Sequence, residues 1–152
     1  MWKYLPLALL AGIISCSETK DDDFIGGADE KEPDFVSVDH ILISFRGTGT
    51  AATRSPGEAK ALAYDLLKQV RNDGDWAKLK QKYSDDKQQG VAGGPYAMTN
   101  TGVQRRPGAR PRGGMVPAFG NVGFRLRLGG IGMADHDPQT SPYGYHIIKR
   151  VR

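Results

Sequence analysis

Between Phe35 and Phe45 apolar residues fall on both alternate sets of positions, Val36, Val38 and Leu42 on one and Phe35, Ile41, Ile43 and Phe45 on the other. A short run that is apolar on both faces predicts a central strand rather than an edge. Residues 46–54, rich in Gly and Thr, read as the loop that leaves it. Ser55-Pro56-Gly57-Glu58 then supplies an N-cap serine, a proline at the first helical position and a glutamate three residues after the serine, which is a capping box. Ala59, Leu62, Ala63, Leu66, Leu67 and Val70 follow at helical spacing, and Asn72-Asp73-Gly74 stops the helix. Asp75 caps a second, shorter helix with Trp76, Leu79 and Tyr83 on one face and Lys78, Lys80 and Lys82 toward water; Ser84-Asp85-Asp86 breaks it. Further on, the pattern predicts a short strand at Pro95 to Thr99 and one or two helical turns within Met115 to Phe124. A strand entered through Leu128-Gly129-Gly130-Ile131 and a closing strand from Gly144 to Val151 complete the chain. This order implies an α+β domain with helices packed on a small sheet.

The residues before that domain change the picture of where it works. Lys3 and the apolar stretch Tyr4 to Ile14 read as an export signal, too short to span a bilayer as a mature helix. Ile13-Ile14-Ser15-Cys16 resembles the bacterial lipobox, with an ordinary secretory cleavage near Ser15 as the alternative. The organisation expected is therefore a signal peptide over 1–15, an acidic flexible tether over 16–34 beginning at a lipidated Cys16, and a domain over 35–152. The implied location is the bacterial cell envelope, lipid-anchored, on the periplasmic or the surface face. Cys16 is the only cysteine, so no disulfide within the chain braces the domain. Ser17 to Asp34 carries eight acids against two lysines, whereas the chain from Phe35 on carries eighteen Lys or Arg against nine Asp or Glu. An acidic, solvated leash holding a basic domain is the picture this suggests.

Two histidines sit inside the first and last strands, in Val38-Asp39-His40-Ile41-Leu42-Ile43 and Tyr145-His146-Ile147-Ile148-Lys149. A buried imidazole needs a hydrogen-bond partner, and two such strands side by side would give each ring the other. Singly, either histidine reads as a satisfied structural group. A two-histidine, one-carboxylate metal site with Asp86 is a weak alternative, because no motif at metal-ligand spacing accompanies them and His136 lies in the polar turn Asp135-His136-Asp137-Pro138.

These residues, taken in order, resemble the parvulin family of peptidyl-prolyl cis/trans isomerases. His40-Ile41-Leu42-Ile43 is similar to its first strand, Tyr83-Ser84-Asp85-Asp86 to the end of its second helix, and Gly93-Gly94 to the approach to its middle strand. Met115-Val116-Pro117-Ala118-Phe119 resembles its Met-x-x-x-Phe pocket segment, Phe124-Arg125-Leu126 with Gly129-Gly130-Ile131 the segment after it, and Gly144-Tyr145-His146-Ile147-Ile148-Lys149 its closing strand. The resemblance implies a small antiparallel or mixed four-stranded sheet flanked by helices. It assigns His40, Asp86 and His146 to the catalytic positions, and Tyr96, Met115, Phe119 and Tyr143 to substrate contact. It implies no metal and no cofactor. The sequence departs from the family where Gly93-Gly94-Pro95-Tyr96-Ala97-Met98-Thr99 replaces Gly-Gly-Asp-Leu-Gly-x-Phe, and where a basic Gly/Pro insert, 103–114, precedes Met115. Gly120 and Gly123 replace better helix formers, at a cost of about 1 kcal/mol each inside a helix.

The function so implied is isomerisation of X-Pro bonds in unfolded or exported polypeptides, with a membrane contact through the N-terminal lipid and the chain acting as a monomer. Rotation about that bond meets a barrier of about 18 to 20 kcal/mol without any bond being made or broken, so a catalyst has only to favour the twisted amide. A non-catalytic chaperone or peptide-binding module of the envelope is the rival from another class. Preference for phosphorylated Ser or Thr before Pro would need a basic cluster after the first strand, where Arg46 and Arg54 stand without a third base. The insert's Arg105, Arg106, Arg110 and Arg112 read as a solvated mobile loop or as an anionic docking surface. Nucleic acid is disfavoured because no aromatic residues interleave the arginines.

Overall fold

The first strand, β1 (Phe35–Ile43), lies in the middle of a five-stranded mixed sheet. A computed structural model describes residues 23–25, 30–87 and 95–152. The expected export signal and lipobox with Cys16, and the Gly93-Gly94 segment, lie outside those residues. On one side β1 pairs antiparallel with β2 (Tyr96–Thr99), and on the other with β5 (Tyr145–Arg150), which pairs antiparallel with β4 (Ile131–Ala134). The fifth strand, β3 (Arg110–Pro111), runs parallel to β2 in the register Met98 to Arg110 and Thr99 to Pro111. The mixed sheet flanked by helices is as expected, with five strands where four were expected, and the additional strand comes from the segment 103–114. That segment adds an edge strand, a 3-10 turn at Arg112–Gly114 and a buried Ala109. Two of its arginines are held by what they meet: Arg106 stacks over Phe35, and Arg112 pairs with Glu32, bonds Asn100 and Asn121 and stacks over Phe124.

The helices form where the caps direct. Helix α1 (Pro56–Arg71) begins at Ser55, whose hydroxyl accepts from Glu58 N while the Glu58 carboxylate accepts from Ser55 N. It ends at Asn72, and Asp73 then takes φ 62°, a left-handed conformation that suits Asp or Asn. Helix α2 (Trp76–Tyr83) is capped by Asp75, which accepts from Lys78 N. Helix α3 (Pro117–Arg125) runs longer than one or two turns, with its glycines turned to use. A Cβ on Gly123 would stand 2.9 Å from Met98 Cε and 3.3 Å from Val38 Cγ1, so its absence lets α3 lie close against the sheet.

Helices α1 and α2 cover one face of the sheet through Ile41, Ile43, Ala59, Ala63, Leu66, Val70, Ile131, Tyr145 and Ile147. Helix α3 covers the other through Val36, Val38, Met98, Phe119, Phe124, Leu126, Ala134 and Ile148. The tether does not remain solvated throughout. Asp23 pairs with Arg71, its carbonyl accepts from Arg127 N, and Phe24 bridges to Leu126 and packs into the α3-side core. Packing one half-buried aromatic ring and meeting three arginines (Arg71, Arg127 and Arg112) offsets the cost of ordering those short stretches, at Asp23, Glu30 and Glu32.

Candidate functional site

On β1 and β5 the register sets His40 opposite Ile148 and His146 opposite Leu42, so the two histidines are diagonal neighbours on one face. Their rings stack with centroids 5.3 Å apart and 24° between planes, and the two Nδ1 atoms face each other at 3.2 Å. Each residue is 4% exposed. The segment after α2 brings in the carboxylate. Ser84 Oγ accepts from Leu42 N, Asp85 N donates to Leu42 O, and Asp85 accepts from Ser44 N and from Arg54. Pinned in this way to β1, the chain places Asp86 Oδ2 2.8 Å from His40 Nε2 and 3.0 Å from the Tyr96 hydroxyl, which donates to it.

Proton positions follow from this geometry. An ionised Asp86 only accepts, so His40 carries its proton on Nε2; a neutral His40 then accepts at Nδ1, and His146 donates from Nδ1. That leaves His146 Nε2 a bare acceptor, buried and without a hydrogen-bond partner among the described residues. Burial, with the facing His40 second, pushes the His146 pKa down to about 3, so its ring is neutral at physiological pH.

Apolar residues meet the polar chain edge-on. The Phe119 ring lies 5.1 Å from His40, 5.5 Å from His146 and 5.7 Å from Tyr96, centroid to centroid, each contact T-shaped. Phe119 is itself 2% exposed, so it forms the base of a cleft rather than its rim. The cleft has a volume of about 760 Å³, and Met115, Tyr96, Asp86, His40, His146 and Tyr143 all line it. Tyr143, 48% exposed, stands at the mouth, and its carbonyl accepts from Ser44 Oγ at 2.6 Å.

The fold thus gathers all seven of the sequence-derived site positions in the domain around one cleft, from β1, the end of α2, β2, the end of the 3-10 turn, α3, the turn before β5 and β5 itself. Other members were not anticipated. Gly49, Thr50 and Ala51 form part of the wall, and Arg110 reaches it from the insert. Arg54, considered as half of a phosphate cluster, is occupied by Asp85 and the Ser44 carbonyl. Tyr96, expected at substrate contact, also supplies the hydroxyl on Asp86. Its phenol, in place of the usual aliphatic leucine, was the signal available for that bond.

The sequence profile of the PPIC-type PPIase domain matches residues 27–151. The chain belongs to the parvulin-type rotamase family. It is 36% identical over 112 residues to the chaperone SurA of Chromohalobacter salexigens, across 74% of this chain and 21% of that protein. It is 30% identical over 122 residues to the foldase protein PrsA 1 of Lactobacillus johnsonii, across 77% of this chain and 30% of that one. The chain therefore spans less than a third of the length of either relative. Among solved structures, the parvulin NmPin of Nitrosopumilus maritimus aligns with TM-score 0.46 at 22% identity, covering 79% of this chain and 98% of that one. TbPIN1 aligns with TM-score 0.48 at 19% identity, covering 78% and 98%.

Proposed function

We propose that this chain is a peptidyl-prolyl cis/trans isomerase acting on X-Pro bonds of exported polypeptides in the bacterial envelope, held at a membrane by a lipid on Cys16. The observation that carries the catalytic part is the meeting of an apolar base, Phe119, with the Tyr96–Asp86–His40–His146 chain at one cleft. Phe119, Met115 and the ring of Tyr96 hold the pyrrolidine while the carbonyl half of the bond turns. Enclosure removes water from the amide, which disfavours the charge-separated planar form relative to the twisted one. A carboxylate beside the carbonyl oxygen acts in the same direction, because the planar amide carries more negative charge on that oxygen. Hydrogen bonds from Tyr96 and His40 hold Asp86 in place, and His146, donating to His40 Nδ1, holds the His40 ring in position. No covalent intermediate is required.

The test is the rate of cis/trans exchange in proline peptides with the full chain, read by exchange NMR or by a protease that cleaves only the trans form. Acceleration is expected, with kcat/KM lowered about ten-fold or more in Asp86→Ala and Phe119→Ala. The names of the relatives, a chaperone and a foldase, favour a second reading in which the cleft only holds unfolded segments. A folded chain that slows aggregation while leaving exchange at its spontaneous rate would establish that reading and overturn the first.

A further inference from the structure

Three of the insert's four arginines have partners that account for them: Arg106 stacks on Phe35, Arg112 is bound by Glu32, Asn100 and Asn121, and Arg105 Nε donates to Ala109 O. Arg110 differs. Its backbone is fixed by the β3 pairing with Met98, yet its side chain is exposed and enters no ion pair or hydrogen bond with the described residues. Its guanidinium carbon stands 6.0 Å from the Tyr96 ring centroid, on the lining of the cleft.

The charges around that cleft are unequal in their freedom. Of the two carboxylates in the lining, Asp85 is taken by Arg54, and Asp86 by His40 and Tyr96. Of the two cations, Arg110 and Lys87, neither is in an ion pair among the described residues. Asp86 keeps its charge, since His40 and Tyr96 are neutral donors, but the two unpaired cations outnumber it, so the balance left for a bound peptide to meet is positive.

We propose that Arg110 gives the cleft a preference for an acidic side chain, Asp or Glu, next to the proline. This rests on the prolyl-isomerase reading of the site. With the proline ring against Phe119, Met115 and Tyr96, the neighbouring Cα lies about 3.8 Å along the chain. Its side chain then reaches the guanidinium beyond Tyr96. The planar guanidinium fork matches a carboxylate in two parallel hydrogen bonds, and a lysine in the same place meets like charge. The insert that sets this chain apart thus acts as a specificity element, built on a strand that holds its arginine in register.

The experiment measures kcat/KM of the full chain on two peptide series, with Glu, Gln or Lys before the proline and with the same residues after it. Glu is expected to exceed Lys about five-fold in at least one series at low salt, the ratio shrinking as salt is added. Arg110→Ala should bring the ratio near one, Arg110→Glu should invert it, and Arg110→Lys should keep most of it. Arg105→Ala, on the same insert but outside the cleft lining, should retain the full ratio. Equal turnover of Glu and Lys peptides by the unaltered chain, or a ratio that survives Arg110→Ala, overturns the proposal. If no peptide is turned over, the isomerase reading fails instead. The proposal is then decided by peptide affinity, supported by a Kd ratio of Glu over Lys that is lost in Arg110→Ala and overturned by equal Kd values.

Discussion

The two faces of the central sheet are made by the same strands and finished in different ways. Under α1 and α2, Ile41, Ile43, Tyr145 and Ile147 meet Ala63, Leu66 and Val70, and the face is closed. On the α3 side, Val36, Val38 and Ile148 begin the same kind of core, but the next positions along β1 and β5 are His40 and His146. There α3 stops covering the sheet, and the cleft opens over Phe119. Because side chains alternate along a strand, one residue step moves from a face that only stabilises to a face that also exposes chemistry. The second face is also completed differently. It takes Phe24 from the tether, whose ring lies over Gly132, where a Cβ would stand 2.7 Å from Phe24 Cζ.

The contrast can be broken most strongly on the closed face. Leu66→Ala removes a fully buried side chain from a packed layer and is expected to cost about 2–5 kcal/mol of stability. Urea unfolding reads this directly, and a loss under 1 kcal/mol would mean that the layer is looser than its burial implies.

A middle-sized effect separates the faces by pH. The His146 pKa is lowered in the fold, so the unfolded chain binds a proton below pH 6.5 that the folded chain refuses. The sign is therefore loss of stability as pH falls below 6.5, at about 1.4 kcal/mol per unit, or about 2 kcal/mol by pH 5. Above pH 7 this contribution is complete and flat. Urea midpoints at pH 7.5 and pH 5 test it, and Leu66→Ala should show the same slope from a lower starting point, since the titrating ring lies on the opposite face. Equal midpoints at the two pH values would place a proton on His146 in the folded state.

The smallest change sharpens the last difference. Phe24→Ala is expected to cost about 1–2 kcal/mol by opening the α3-side core, with prolyl exchange left at its normal rate. Thermal unfolding with and without added salt checks this, because the Asp23–Arg71 pair that seats the arm is weakened by screening. An unfolding temperature indifferent to the substitution would return Phe24 to the solvated tether.

Local signals made much of this legible. The capping box at Ser55–Glu58, the Asp75 cap and the two-sided apolar run of β1 each depend on neighbours within a few residues, and each reappears at its place. The edge strand at Arg110–Pro111 was not legible, since two residues among Gly, Pro and Arg carry no periodicity and become a strand only by pairing with β2. Nor was the docking of Asp23 and Phe24. An acidic stretch with one aromatic residue has the composition of a linker, and its order comes from Arg71, Arg127 and the gap over Gly132, all distant in sequence.

By itself, then, the sequence determined the helices, the central strand, the closing strand and the family, because caps, alternation and motif order are properties of contiguous residues. Only the tertiary structure decided which nitrogen of His40 faces Asp86, that Tyr96 bonds the same carboxylate, that Arg54 is committed to Asp85, and that Arg110 among the insert's arginines reaches the cleft. Those outcomes turn on distances of about 3 to 6 Å between groups up to a hundred residues apart. Hydrogen bonds and charges act over such distances, and only the folded chain sets them.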